Sequence, residues 1–314
     1  MSSTLTIGTR GSALALWQAH HVKDRLEKRF STLRVEVLVI KTTGDRILNQ
    51  ALSAIGDKGL FTREIEEALL DGRVDIAVHS LKDLPTETPA GLRIAAITKR
   101  EDVRDVLISR QWRSIEALPE GATIATGSLR RTSQLRHLRP DVEIVDIRGN
   151  LNTRFAKFDA SRWDGMLLAR AGVKRLGWSD RIAQVIPADL ILPAVGQGAL
   201  GIEIREGDDV SLRAVRALAH PATAAAAAAE RALLRELEGG CQVPIGAWAR
   251  VVEGRLVLDA MVGSIDGTVR LDVNGSVAEL SKAEQLGRRL AKKLYEHGAK
   301  EILDDIRAAT PRRA

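Results

Sequence analysis

Apolar side chains in the N-terminal part of the chain recur at two spacings that take turns. LTIGTR (5–10) is short and rich in strand formers. Ser12 then stands where an N-cap belongs, and SALALWQAHHVKDRLEKRF sets Val22, Leu26 and Phe30 along one helical face. RVEVLVIK alternates through Val35, Val37 and Val39. FTREIEEALLDGR runs Phe61, Ile65 and Leu69 down a helix that stops at Gly72, and VDIAVHS is the next strand. Strands interleaved with helices predict a parallel or mixed sheet with ligands at the strands' carboxyl ends.

A second cycle runs from Arg100 to Pro193. ATIATGS leads into LRRTSQLRHL, VEIVDIRGN into LNTRFAKF, and DGMLLARAG into VKRLG. TIGTRGS (6–12) and TIATGSL (123–129) each read as a strand, a tight Gly/Ser turn and a helix start. That echo predicts two similarly built lobes facing one cleft. From Asp209 the pattern changes. TAAAAAAERALLRELEGG is a strong helix former ended by Gly239, and GAWARVV, RLVLDAMVG and TVRLDVNGSV read as a strand meander turned by VEGR and SIDGT. KAEQLGRRLAKKLYEHGAKEILDDIR closes the chain with helix. A separate small α+β domain is expected there.

A length of 314 residues predicts two or three domains. No apolar run approaches the ~20 residues of a membrane span, and MSSTLTIGTRGS lacks the basic and apolar regions of a secretory signal. The single cysteine forms no internal disulfide, which fits a cytoplasmic protein. A net charge of +6 suggests an acidic partner, but 3% aromatics are too few for a base-stacking platform, so nucleic acid is not expected. The six histidines lack ligand spacing and no phosphate-binding glycine loop occurs, so neither metal nor nucleotide is indicated.

The basic residues change the picture by where they fall. Arg10, Lys82 and Arg148 follow predicted strands, with Arg154 and Arg175 at comparable junctions. Arg130 and Arg131 sit in the first turn of a helix capped by Ser128, where cations oppose the macrodipole at about 0.3–1 kcal/mol each. Either both point into water, or a strongly anionic ligand docks there. His79 and Ser80 are strand neighbours on opposite faces, which disfavours a Ser-His-Asp triad. Asp83 is either an Asx-type turn cap or a carboxylate that handles protons or a cation. Cys241, after two glycines and before a proline, is either a small buried hydrophobe or a reactive, modified thiol.

AVHSLKDLPT, SLRRTSQL, IRGNLNTR, LARAGVKRLG, LPAVGQGALGIE and LEGGCQVPIG resemble the porphobilinogen deaminase (hydroxymethylbilane synthase) family of tetrapyrrole and haem biosynthesis, and the resemblance runs in order from Ile7 to the C-terminal domain. The resemblance implies a dipyrromethane cofactor on Cys241 through a thioether, as an anchor. Four porphobilinogens would join it one after another, each losing ammonia and passing through an azafulvenium, before water releases hydroxymethylbilane. It implies Asp83 as the catalytic group. Ser12, Lys82, Thr126, Ser128, Arg130 and Arg131 would hold the cofactor, and Arg10, Lys58, Ser80, Arg148, Arg154 and Arg175 the substrate. The implied fold is two α/β lobes with mixed sheets like those of periplasmic binding proteins, 1–99 with 199–216 and 100–198. A smaller α+β domain, 217–314, follows. A monomer without nucleic-acid or membrane partners is expected, with a flap over TTGDRILNQALSAIGDKGLF. Ala54 and Gly127 depart from the family pattern, where lysine and serine are usual.

Overall fold

The computed structural model describes residues 3–46, 61–238 and 243–309. In chain order its strands are β1 (Ser3–Thr9), β2 (Leu33–Val39), β3 (Ile76–Ser80), β4 (Leu92–Ile97), β5 (Asp105–Ile108), β6 (Thr123–Ala125), β7 (Glu143–Val145), β8 (Gly165–Ala169), β9 (Ile182–Val185), β10 (Leu200–Arg205), β11 (Ile245–Val252), β12 (Arg255–Gly263) and β13 (Arg270–Val277). The chain divides into two compact units. The first takes in the described residues up to 101 and returns for 198–224; the second holds 102–197 and the described residues from 225 on.

The first unit is built on one five-stranded sheet, ordered β2-β1-β3-β10-β4. β1 pairs in parallel with β2 and β3, a pairing that the helical crossovers between them permit, while β10 runs antiparallel between β3 and β4. Ile7, Val35, Ile76 and Val78 pack one face against Ala19, Val22 and Leu26 of the helix Ala13–Arg29. Ala77 and Leu92 pack the other face against Ile65 and Leu69 of the helix Arg63–Leu70. β3 is covered on both faces, which is why IAVHS reads as a continuous apolar run rather than an alternation.

In the second unit, the sheet β7-β6-β8-β5-β9 repeats that pattern strand for strand: β6 parallel to β7 and β8, β5 antiparallel between β8 and β9. The antiparallel strand of the first sheet, β10, comes from far along the chain, whereas β5 opens the segment that forms the second. The chain leaves β4 to begin the second sheet with β5, and leaves β9 to finish the first with β10.

The C-terminal part of this unit is the antiparallel meander β11–β12–β13 with the helices Pro221–Glu236, Ala283–Glu296 and Ala299–Ala309. Leu233, Leu258, Leu290 and Leu303 form its core. The expected closing helix is two helices, separated at Gly298, whose φ of +100° favours glycine. At Gly287 the absence of a side chain lets two helices meet, since a Cβ there would lie 2.2 Å from the Ala229 carbonyl oxygen.

Candidate active site

In the first unit the loops at the carboxyl ends of β1 and β3 shape a recess of about 70 Å³, lined by Arg10, Ser12, Gln18, Phe61, His79, Ser80 and Asp83 among others. Ser12 ends the turn after β1 and caps the following helix, its hydroxyl accepting from the Ala15 N–H at 3.3 Å. Its own hydrogen remains to donate. Arg10 lies 4.2 Å over the Phe61 ring, a cation–π contact that fixes the guanidinium's direction. Ser80 accepts from Gln18 at 2.7 Å, while His79, on the opposite face, is 3.5 Å from Glu203. No Ser–His hydrogen bond forms between them, as strand alternation requires.

β3 ends in a 3-10 turn, Leu81–Asp83, where Lys82 is half-buried and Asp83 exposed. Among the described residues Asp83 accepts no hydrogen bond and makes no ion pair; the Leu84 N–H that closes the turn bonds to the Leu81 carbonyl instead. An Asx cap would have required a backbone N–H on the carboxylate. The turn-cap alternative is therefore not what the structure shows.

In the second unit the turn after β6 carries Thr126, whose hydroxyl accepts from the Ser128 N–H at 3.3 Å. Ser128 is the N-cap of the helix Leu129–Leu138, but its side chain makes no capping bond. Arg130 and Arg131 do not point into water: both are already paired and are only 4% and 5% exposed. Asp105 on β5, fully buried, holds both guanidiniums at 2.8 Å. Arg130 also donates to the Leu192 carbonyl at 2.6 Å and Arg131 to the Leu167 carbonyl at 3.1 Å. Burial opposes ionisation of Asp105, yet the two guanidiniums hold its carboxyl well below the usual carboxylate range. Two cations against one anion leave one positive charge in excess, and the Nε of each arginine is buried with no partner among the described residues.

Further along, Arg148 bonds Asp146 at 3.0 Å and Arg154 donates to the Gly149 carbonyl at 2.8 Å. Arg175 closes the helix Arg170–Arg175, half-buried. Lys58 and Cys241 lie outside the described residues, as does Ala54. Gly127 has a steric reason: a Cβ there would lie 2.7 Å from the Ile147 carbonyl oxygen.

A family model described as porphobilinogen deaminase, dipyromethane cofactor binding domain, matches residues 5–213. A second, described as porphobilinogen deaminase, C-terminal domain, matches residues 224–296. The chain belongs to the porphobilinogen deaminase family. It is 53% identical over 310 residues to the porphobilinogen deaminase of Chlorobium phaeobacteroides strain BS1, covering 98% of this chain and 99% of that one. It is 54% identical over 310 residues to that of Chloroherpeton thalassium, with the same coverage. Among solved structures, a TRAP periplasmic solute binding protein from Desulfovibrio salexigens matches with a TM-score of 0.42 at 11% identity, over 70% of this chain and 73% of that one. The porphobilinogen deaminase domain over 5–213 is thus one that binds dipyrromethane, and it contains both residue groups described above. Gln18 and Asp105 were not singled out by sequence, and Phe61, expected on the face of the following helix, instead precedes that helix and lines the recess under Arg10. An aspartate opening the otherwise apolar strand DVLI was the one sequence signal for Asp105.

Proposed function

We propose that this chain is a transferase that joins four porphobilinogens, with loss of ammonia, on a dipyrromethane held by Cys241, and frees hydroxymethylbilane by hydrolysis, as a monomer in the cytoplasm. The observation that carries this reading is Asp83: a carboxylate with no partner among the described residues, lining the same recess as Arg10, Ser12 and Ser80. The residues also fit the cofactor. The buried excess positive charge of Arg130 and Arg131 over Asp105, with two unpartnered Nε groups, calls for an anion, and the dipyrromethane's acetate and propionate groups are anions.

When bound, the dipyrromethane supplies the free pyrrole carbon on which the product grows. Arg130 and Arg131 hold its carboxylates, with Thr126, Ser128, Ser12 and Lys82 contributing further donors. Arg10, Ser80, Arg148, Arg154, Arg175 and Lys58 grip the carboxylates of porphobilinogen. Asp83 accepts from pyrrole N–H groups, stabilises the azafulvenium cation by charge, and takes up the proton shed after the bond forms. Residues 1–99 with 199–216, 100–198 and 217–314 form three domains in this reading, supported by three sheets with separate cores.

Incubating the purified chain with porphobilinogen tests it: four ammonia released per hydroxymethylbilane is expected, and no ammonia release would refute it.

A further inference from the structure

Behind the recess, on the sheet face covered by the helix Arg63–Leu70, lies a group of titratable side chains that the reaction above does not use. Glu66 comes from that helix, His79 from β3 and Glu203 from β10, and all three are buried. Gly201 stands opposite His79 and Glu203 opposite Ala77, so His79 and Glu203 are diagonal neighbours on one face. His79 Nε2, Glu203 Oε2, Glu66 Oε1 and Thr62 Oγ1 are shut off from solvent, and none has a hydrogen-bond partner among the described residues. The layer is otherwise apolar, filled by Ile65, Leu69, Ala77 and Leu92.

Two carboxylates and one imidazole carry two negative charges in such surroundings if the imidazole is neutral, and one if it is protonated. The charged groups on the neighbouring elements are Arg63, Glu64 and Glu67 on the helix, Arg10 after β1, Lys82 and Asp83 after β3, Arg93 on β4 and Arg205 at the far end of β10. Arg63, Glu67, Asp83 and Arg93 are exposed, and Arg205 is held by Asp75 and Asp208. The least costly state therefore keeps a proton within the cluster. Burial pushes the Glu66 carboxyl above its ordinary range, against the Thr62 hydroxyl and reinforced by the Glu203 charge. His79 and Thr62 also line the recess that holds Asp83.

We infer that Glu66, His79 and Glu203 share a buried proton and serve, through His79, as the proton reservoir of the recess. The inference rests on the function proposed above. After the new carbon–carbon bond forms, the C–H bond at the attacked pyrrole carbon breaks and its electron pair restores the ring. The proton passes by way of Asp83 to the imidazole, whose charge Glu203 balances. At the next addition the C–N bond of porphobilinogen breaks, and the amine takes that proton and leaves as ammonia. Protons and electrons balance with no oxidant or reductant. The three residues act through Asp83 and are positioning residues.

Nitrogen NMR of the full chain labelled at histidine tests this, with the His79 signal identified by its loss in His79→Gln. Glu203→Gln, which removes the balancing anion, should move the His79 nitrogen signals toward those of a neutral imidazole at the same pH. Glu203→Gln and Glu66→Gln should also shift the pH profile of kcat and lower kcat at neutral pH by about tenfold or more, with KM and protein mass gain unchanged. His79 signals unmoved by Glu203→Gln, or a pH profile identical to the parent's, overturn the reservoir. If Glu203→Gln does not fold, Glu66→Gln decides by the same criteria. A parent that releases no ammonia overturns the proposed function itself; normal turnover with unmoved profiles overturns only the reservoir.

Discussion

Asp83 stands exposed and unpartnered among the described residues, whereas Asp105 is locked between two guanidiniums, so removing each charge should have opposite consequences. Asp83→Asn should lower turnover by about 10²-fold or more while leaving stability within about 0.5 kcal/mol, because it gives up no native contact. Turnover assays and urea unfolding read the two arms, and normal turnover would remove Asp83 from its role. Asp105→Asn strands two buried cations and should cost about 3–5 kcal/mol in urea unfolding. Its pH signature has a definite sign. The folded carboxyl is held below its ordinary value, so at acid pH the unfolded chain binds the proton first. The stability it confers is full above about pH 4 and is lost as pH falls toward the folded value. The parent's urea midpoint should drop over that range, and Asp105→Asn should lack that part of the slope; an identical slope would contradict the pairing. At this scale the sequence showed that Arg130 and Arg131 were oddly placed, but not their partner. Asp105 lies 25 residues before Arg130, on a strand rather than their helix, and no local pattern encodes a long-range ion pair.

Elements with strong periodicity were legible. Ser12 caps its helix, Ile65 and Leu69 face the core, and the three C-terminal strands fall where alternation put them. Ser128 occupies the N-cap but does not use its side chain, which propensity alone could not distinguish. The polyalanine run announced a helix, yet not that Ala229 would meet Gly287 so closely. Helix propensity favours Gly287→Ala by about 1 kcal/mol, but overpacking against a backbone oxygen costs about 1–3 kcal/mol. The larger effect should win, lowering the urea midpoint; unchanged or greater stability would show that the helices can part without cost.

For the whole molecule, the echo between TIGTRGS and TIATGSL proved structural: β1 and β6 hold the same position in two sheets of the same order. What local pattern could not supply was the place of β10 between β3 and β4, because β10 reaches the first sheet from beyond the second cycle. The net charge of +6 bears on function at this scale. Carboxylates drawn to a cationic protein are screened within about 8 Å at physiological ionic strength, so KM for porphobilinogen should rise with added salt. A salt-independent KM would argue against charge as the main grip on substrate.

Intact mass of the purified protein, before and after brief exposure to porphobilinogen, tests the central claim most directly. The predicted result is a chain heavier than its sequence by one dipyrromethane, joined after exposure by species heavier by successive pyrrole units, with both increments absent from Cys241→Ser. A mass equal to the bare sequence, unmoved by substrate, would contradict it.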